Sequence, residues 1–144
     1  LTKAGFKVAI CTNQSAIGKG LMTEGTLKEI HTHMLQQIAQ HGGRIDRIYH
    51  APDHPDRPSA RRKPAPGMIL EALADFDSDP DRTPFIGDAL RDLEAAATAG
   101  CPRILTRTGK GAVFEAKGIP AHIAPVAIAE DLYAAADYII AHYR

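Results

Sequence analysis

The sequence lacks several features that mark particular classes of protein. It has no tryptophan, two cysteines and 6% aromatic residues in 144. Its 17 Lys and Arg balance its 17 Asp and Glu, so no net charge draws it to nucleic acid or to an anionic membrane surface. No apolar run is long enough to cross a bilayer, and we expect no signal peptide. The composition therefore predicts no nucleic-acid partner and no membrane partner, and we expect a cytoplasmic monomer.

The two cysteines are too few for a disulfide framework. Cys11 and Cys101 both lie in apolar, strand-like contexts. One disulfide is possible in principle, but buried thiols are common in cytosolic proteins. We therefore expect both cysteines to be reduced residues of the core.

Short apolar runs alternate with amphipathic stretches along the chain. Strands are predicted at 6–11, 45–49, 84–86 and 103–105, and helices from Thr23 to about 41, at 67–76, 90–99, 113–117 and 129–143. This alternation predicts a single α/β domain over residues 1–144, with a parallel sheet covered on both faces. In such sheets the chemistry lies beyond the carboxyl ends of the strands.

Two of the predicted helices have an apolar face at helical spacing. The first face comprises Leu27, Ile30, Met34 and Ile38, and the second comprises Leu132, Ala136, Ile139 and Tyr143. Each face is predicted to pack on the sheet. The histidines on and after the first helix, His31, His33 and His41, are expected at the surface.

A polar loop follows the first predicted strand, from Thr12 to Gly20. It offers hydroxyls, amides and glycine-freed backbone N–H groups, all of which can bind anionic oxygens. Taken alone, this loop fits an ordinary polar turn better than an anion site.

An acidic loop follows the strand at 84–86, with Asp88 and Asp92 one helical turn apart. Two carboxylates at that spacing suit a hard divalent cation. The alternative, equally good on this segment alone, is that Asp88 only caps the following helix.

A basic loop precedes the helix predicted at 67–76. Arg61, Arg62 and Lys63 are consecutive and are followed by Pro64 and Pro66. They fit a phosphate clamp, since Arg presents a planar fork and Lys a point charge. A solvated basic run is the alternative.

The three loops together resemble the haloacid dehalogenase (HAD) superfamily, in order and in spacing. The segments Thr-Asn-Gln-Ser-x-Ile-x-x-Gly from residue 12, Arg-Lys-Pro-x-Pro-Gly-Met from residue 62 and Thr-Gly-Lys-Gly from residue 108 resemble its capless histidinol-phosphate and heptose bisphosphate phosphatase branch. The resemblance covers nearly the whole chain and implies a three-layer, Rossmann-like parallel sheet without a cap domain.

This resemblance also implies an activity and a set of site residues. The activity would be Mg²⁺-dependent hydrolysis of a phosphomonoester through an aspartyl-phosphate. D-glycero-D-manno-heptose 1,7-bisphosphate is the first expected substrate and histidinol phosphate the alternative. By resemblance, Thr12 would hold the phosphoryl group and Lys63 would neutralise its charge. Substrate would be bound by Asn13, Gln14, Ser15 and Arg62, and magnesium by Asp88 with support from Asp92.

The sequence departs from the family where the nucleophile is expected. The family's N-terminal strand ends in Asp-x-Asp, and no such strand precedes Thr12. The segment Asp75-Phe76-Asp77-Ser78 fits an exposed turn better, because it follows a predicted helix. We therefore expect the natural protein to begin earlier and residues 1–144 alone to be inactive. A rival reading is a catalytically dead homologue that serves as a binding module.

Two further departures concern metal and substrate. The related branch often has a cysteine- and histidine-bound zinc in the loop before Arg-Lys-Pro. Here that loop has no cysteine, and His50, Asp53 and His54 alone are a poor tetrahedral set, so no zinc is predicted. Ala89 stands where the heptose enzymes tend to have lysine, which leaves the bisphosphate assignment open. A flavodoxin-like phosphoacceptor fits less well, because the paired acidic residues of its first strand end are absent.

Overall fold

The structure is a computed structural model that describes residues 1–143. The chain divides into two compact units, Leu1–Arg62 and Lys63–Arg144. The described strands are all parallel and form one sheet in each unit. The predicted α/β class with parallel strands is thereby confirmed, while the single capless domain stays a prediction.

The first unit is built on two parallel strands and one long helix. Its elements are β1 Ala9–Asn13, α1 Ser15–Gly18, α2 Glu24–Gln40 and β2 Arg47–Ala51, preceded by a 3₁₀ turn at Thr2–Ala4. Strand β1 pairs with β2 from Ala9↔Arg47 to Asn13↔Ala51. The prediction placed β1 two to three residues too early. The ladder starts later because the N–H and C=O groups of Val8 bond instead to the side chain and N–H of Asp46.

Helix α2 begins where its capping residue predicted. The Thr23 hydroxyl accepts a hydrogen bond from the Thr26 N–H at 3.0 Å, which satisfies one of the orphan donors of the first turn. Its packed face differs from the prediction, because Ile30 is 52% exposed. The covered stripe runs instead through Leu27, His31, Met34, Leu35 and Ile38, so His31 is half-buried rather than at the surface.

The second unit is a three-stranded parallel sheet with helices. Its elements are α3 Gly67–Phe76, β3 Phe85–Gly87, α4 Leu90–Thr98, β4 Arg103–Thr106, α5 Gly111–Lys117, β5 Val126–Ala129 and α6 Leu132–His142, with 3₁₀ turns at Pro80–Arg82 and Ala121–Ile123. The strand order is β3-β4-β5. Leu93, Leu105 and Ile123 form a buried cluster at its core.

The second unit differs from the prediction in two places. Strand β5 was not predicted; it forms because Val126 to Ala129 pair with β4. Leu132 of α6 is 64% exposed, and the buried side chains of that helix are Ala135 and Ile139.

Both cysteines are free. Cys101 is buried as expected, but Cys11 is only half-buried. Burial raises the pKa of the Cys101 thiol to about 11. No helix within residues 1–143 is long and apolar enough to span a membrane.

Candidate active site

The end of β1 holds Thr12 between the neighbouring strand and the following turn. Thr12 lies beside His50 in the ladder, and its Oγ1 accepts a hydrogen bond from Gln14 Nε2 at 3.1 Å. The Gln14 backbone N–H in turn bonds to the Ala51 carbonyl at 2.8 Å. Because Oγ1 accepts from Gln14, the Thr12 hydroxyl proton remains available to an anionic oxygen.

The loop after Thr12 packs directly on the loop after β2. A Cβ at Gly18 would lie 2.6 Å from the Pro52 carbonyl oxygen and would overlap the His54 nitrogen. Only glycine allows that approach. Asn13 ends β1 and Ser15 begins α1, the short helix whose last residue, Gly18, packs against residues 52–54.

The basic loop before Lys63 is closed by its own polar contacts. Asp53 Oδ2 accepts from the Ser59 hydroxyl at 2.7 Å, and Arg62 Nη1 donates to the Asp53 carbonyl at 3.5 Å. His50 Nε2 lies 2.9 Å from Glu24 Oε2. Residues 1–143 contain no group of three or more His, Cys, Asp or Glu side chains placed to hold a metal ion. The absence of zinc stays a prediction.

The second unit contains a buried ion pair at the start of α4. Lys63 Nζ lies 2.7 Å from Asp92 Oδ1, and their side chains are 10% and 9% exposed. The other Asp92 oxygen, Oδ2, accepts from the Ala89 N–H at 3.1 Å. Lys63 Nζ also lies 5.7 Å from the centre of the Phe85 ring. Asp92 thus fixes both the lysine and the first turn of α4.

Gly87 ends β3, and its lack of a side chain leaves room for Asp92, which pairs with Lys63. A Cβ at residue 87 would lie 2.9 Å from Asp92 Oδ2 and would overlap its Cβ. The close approach of the strand end to the Asp92 side chain requires glycine here.

Asp88 follows Gly87 and is held by the loop after β4. Its Oδ2 accepts from the Lys110 backbone N–H at 3.2 Å. Gly109 has φ +61°, and a Cβ there would overlap the same carboxylate. Asp88 is therefore oriented by a backbone donor, with a glycine packed beside it.

The two carboxylates differ in how well they suit a metal ion. Both oxygens of Asp92 already bond to protein donors, and the residue is 6% exposed. Asp88 accepts the Lys110 N–H through one of its oxygens, Oδ2, and is half-buried. A carboxylate oxygen of this kind fits a hard cation such as Mg²⁺. The donor set favours Asp88 as ligand and Asp92 as support.

The segment 108–111, which resembles the family in sequence but for which no role was predicted, lies beside Asp88. The Thr108 hydroxyl donates to Thr106 Oγ1 at 3.2 Å, and the space beside Gly111 is filled by the Thr106 carbonyl. Together with the Lys110 N–H, this segment builds the surroundings of Asp88. The strand-end rule applied to β4 would have found it, since the segment follows that strand directly.

The predicted site residues fall into two groups that the structure describes separately. The first unit contains Thr12, Asn13, Gln14, Ser15 and Arg62, and the second contains Lys63, Asp88 and Asp92. Within the first unit, the structure brings Thr12 and Gln14 into contact. Within the second, it brings Lys63 and Asp92 together.

Comparison with known proteins gives consistent matches. The HAD-hydrolase-like family model matches residues 60–135. A D-glycero-beta-D-manno-heptose-1,7-bisphosphate 7-phosphatase of Bordetella bronchiseptica is 41% identical over 141 residues, 97% of this chain and 77% of the relative. A D-glycero-D-manno-heptose-1,7-bisphosphate 7-phosphatase of Chlorobaculum tepidum is 34% identical, over 92% and 72% of the two chains.

Two solved structures are similar over most of the chain. The D,D-heptose 1,7-bisphosphate phosphatase of B. bronchiseptica, crystallised with magnesium and phosphate, has a TM-score of 0.91 at 41% identity, covering 98% of this chain and 78% of that one. The D,D-heptose 1,7-bisphosphate phosphatase of Burkholderia thailandensis has a TM-score of 0.72 at 35% identity, covering 96% and 79%.

Proposed function

The chain belongs to the family of HAD-like hydrolases, and from that premise we propose that it is a Mg²⁺-dependent phosphatase of D-glycero-D-manno-heptose 1,7-bisphosphate. The relatives that carry this substrate in their names support the choice of substrate over histidinol phosphate. The observation that carries the proposal is the buried Lys63–Asp92 ion pair beside Asp88. We also propose that residues 1–144 belong to one capless domain that acts as a monomer.

The buried ion pair suits phosphoryl transfer because the lysine is fixed before substrate binds. A phosphoryl transition state spreads negative charge over its oxygens. A cation already held in place stabilises that charge without reorganisation. Asp92 supplies the restraint, through the 2.7 Å contact with Lys63. We therefore assign charge neutralisation to Lys63 and positioning to Asp92.

Asp88 is the proposed ligand for magnesium. Its orientation by the Lys110 N–H keeps the carboxylate in place, and the bonds made by Asp92 leave that residue a supporting role. When bound, Mg²⁺ polarises a phosphoryl oxygen and neutralises part of its charge.

The roles proposed for the first unit rest mainly on the resemblance of its sequence to the family. Thr12 would donate its hydroxyl to the transferring phosphoryl group, which is compatible with the bond from Gln14 to its Oγ1. Gln14 would orient Thr12. Asn13, Ser15 and Arg62 would contact the substrate.

We propose that the nucleophile lies outside residues 1–144. None of the five strands described ends in Asp-x-Asp, and Asp77 follows α3 in a left-handed conformation with φ 48°. An aspartate elsewhere in the full-length protein would attack phosphorus, form the aspartyl-phosphate and expel the sugar hydroxyl. Water would then release inorganic phosphate.

The test is phosphate release by the full-length protein with Mg²⁺, from heptose 1,7-bisphosphate and from histidinol phosphate. Asp88→Asn is the informative variant, because an amide oxygen can still accept from the Lys110 N–H while the charge is lost. We expect its kcat to fall by about 10²-fold or more. Asp137→Asn makes the same change at an exposed position of α6 and should leave kcat unaltered.

Three results would contradict the proposal in different ways. If the wild type releases no phosphate from either substrate, the catalytically dead binding module replaces the phosphatase. If it prefers histidinol phosphate, the substrate is wrong. If Asp88→Asn keeps full activity and the same Mg²⁺ requirement, the metal site is wrong.

A further inference from the structure

The loop 108–111, which follows β4, carries a cation whose backbone is fixed beside Asp88. The Lys110 N–H bonds to Asp88 Oδ2 at 3.2 Å. Neither flanking glycine could carry a side chain without overlap, since a Cβ at residue 109 would meet Asp88 and one at residue 111 would meet the Thr106 carbonyl. Lys110 is therefore the residue of this loop that presents a charged side chain next to the proposed metal ligand.

No carboxylate within residues 1–143 forms an ion pair with the Lys110 side chain. Lys63 is paired with Asp92, and Arg107 is paired with Glu115 and Glu130. Within residues 1–143, Lys110 forms no ion pair, and its side chain is exposed. An exposed, unpaired ammonium keeps its attraction for an incoming anion.

Lys63 and Lys110 differ in burial, and this difference suits them to different phosphate groups. Lys63 is 9% exposed and is restrained by an ion pair, which suits the phosphoryl group that reacts. Lys110 is exposed and has a flexible four-carbon stem, so it can reach an anionic group that lies outside the reacting centre. Arg91 is an exposed cation three residues after Asp88 in the sequence, but in the described part of the chain it makes no hydrogen bond to Asp88.

We propose that Lys110 is a specificity-determining residue that binds the second phosphate of a sugar bisphosphate, the one that is not removed. This inference rests on the proposed function and names the protein group that would distinguish a bisphosphate from a monophosphate. Ala89 stands where the heptose enzymes tend to have a lysine, and this position lacks a charged side chain here. Lys110 would supply a cation for the bisphosphate that Ala89 does not. The bond between Lys110 and Asp88 uses the main chain, so the side chain is free for this role.

The experiment compares two substrates that differ by the second phosphate alone. Heptose 1,7-bisphosphate and heptose 7-phosphate are assayed with the full-length protein and its Lys110→Gln variant. We expect KM for the bisphosphate to rise by about 10- to 100-fold with kcat nearly unchanged. The kinetic constants for heptose 7-phosphate should stay within about twofold. Lys110→Arg should restore most of the preference for the bisphosphate.

Lys117→Gln is the matched control. Lys117 is an exposed lysine at the last turn of α5, and its loss should leave the preference for the bisphosphate unchanged. The thermal midpoint of Lys110→Gln should equal that of the wild type, because its backbone N–H is retained.

Each remaining outcome has a definite meaning. If Lys110→Gln weakens both substrates equally, Lys110 binds the reacting phosphate and the inference is overturned. If neither substrate is affected, Lys110 does not contact substrate, and the inference is again overturned while the phosphatase assignment stands. If the wild type hydrolyses neither compound, the proposed function itself has failed.

Discussion

Removing the charge of Asp92 should destabilise the second unit and disable its lysine. The substitution Asp92→Asn keeps the shape of the side chain but removes the carboxylate charge that pairs with the buried Lys63 ammonium. The two side chains are 10% and 9% exposed, so water cannot replace the lost carboxylate. We expect lower stability and lower kcat from this one change.

The size of the effect follows from the geometry. At the 2.7 Å separation of Nζ and Oδ1, two unit charges in an effective dielectric of about 20 attract by roughly 6 kcal/mol. Desolvation offsets part of this, and deleting one partner of a buried pair costs about 3–5 kcal/mol. Since a whole domain is stable by only about 5–15 kcal/mol, this loss is large, and the thermal midpoint should fall by roughly 10–17 °C.

The assay is urea and thermal unfolding of the wild type, of Asp92→Asn and of the double variant Lys63→Met/Asp92→Leu. Replacing both charges by apolar groups removes the desolvation cost together with the attraction. The double variant should therefore recover most of the stability, short of about 1 kcal/mol for the lost bond to the Ala89 N–H. It should remain inactive.

The control and the refuting result are equally definite. Asp137→Asn, at an exposed site, should change stability by no more than about 0.5 kcal/mol. If Asp92→Asn unfolds at the same urea concentration as the wild type, the buried pair does not support the site. If the double variant is active, Lys63 is not needed for the chemistry.

Three other perturbations test separate parts of the structure. Gly87→Ala would place a methyl group against the Asp92 side chain, and we expect a loss of about 3 kcal/mol in urea unfolding. Asp46 accepts the Val8 N–H at 2.9 Å; this bond and then Arg44 and Lys7 lower its pKa. Its contribution to stability should be complete above about pH 4 and be lost as pH falls through the lowered pKa. Urea midpoints measured from pH 6 to pH 2 would show this, and Asp46→Asn should flatten the curve. Asp77→Gly should stabilise the protein by about 0.5–1 kcal/mol in thermal unfolding, because φ 48° favours glycine, and should not alter kcat.

These three predictions have their own controls and refuting results. Gly25→Ala lies in α2 with its nearest neighbour at 3.6 Å, so it should stabilise rather than destabilise. A tolerated Gly87→Ala would mean that the strand end does not press on Asp92. An acid transition unaltered by Asp46→Asn would assign that transition to other carboxylates. Loss of phosphatase activity in Asp77→Gly would restore Asp75-Phe76-Asp77 as a candidate for the nucleophile motif.

The local elements were largely predictable from the sequence. Helix α3 spans Gly67–Phe76 as predicted, since prolines precede it and a turn follows. The Thr23 cap of α2 was also predicted. Such signals act between residues three or four positions apart, so no knowledge of the fold is needed to recognise them.

The sequence by itself determined the α/β class, the family resemblance and the identity of Lys63 and Asp88 as candidates. Only the tertiary structure decided that Val126–Ala129 is a strand, because that segment owes its conformation to pairing with β4. Only the tertiary structure paired Lys63 with Asp92 and bonded Lys110 to Asp88. These contacts join segments far apart in the chain. Local periodicity and capping carry no information about them, because they arise only when the sheet brings its strand ends together.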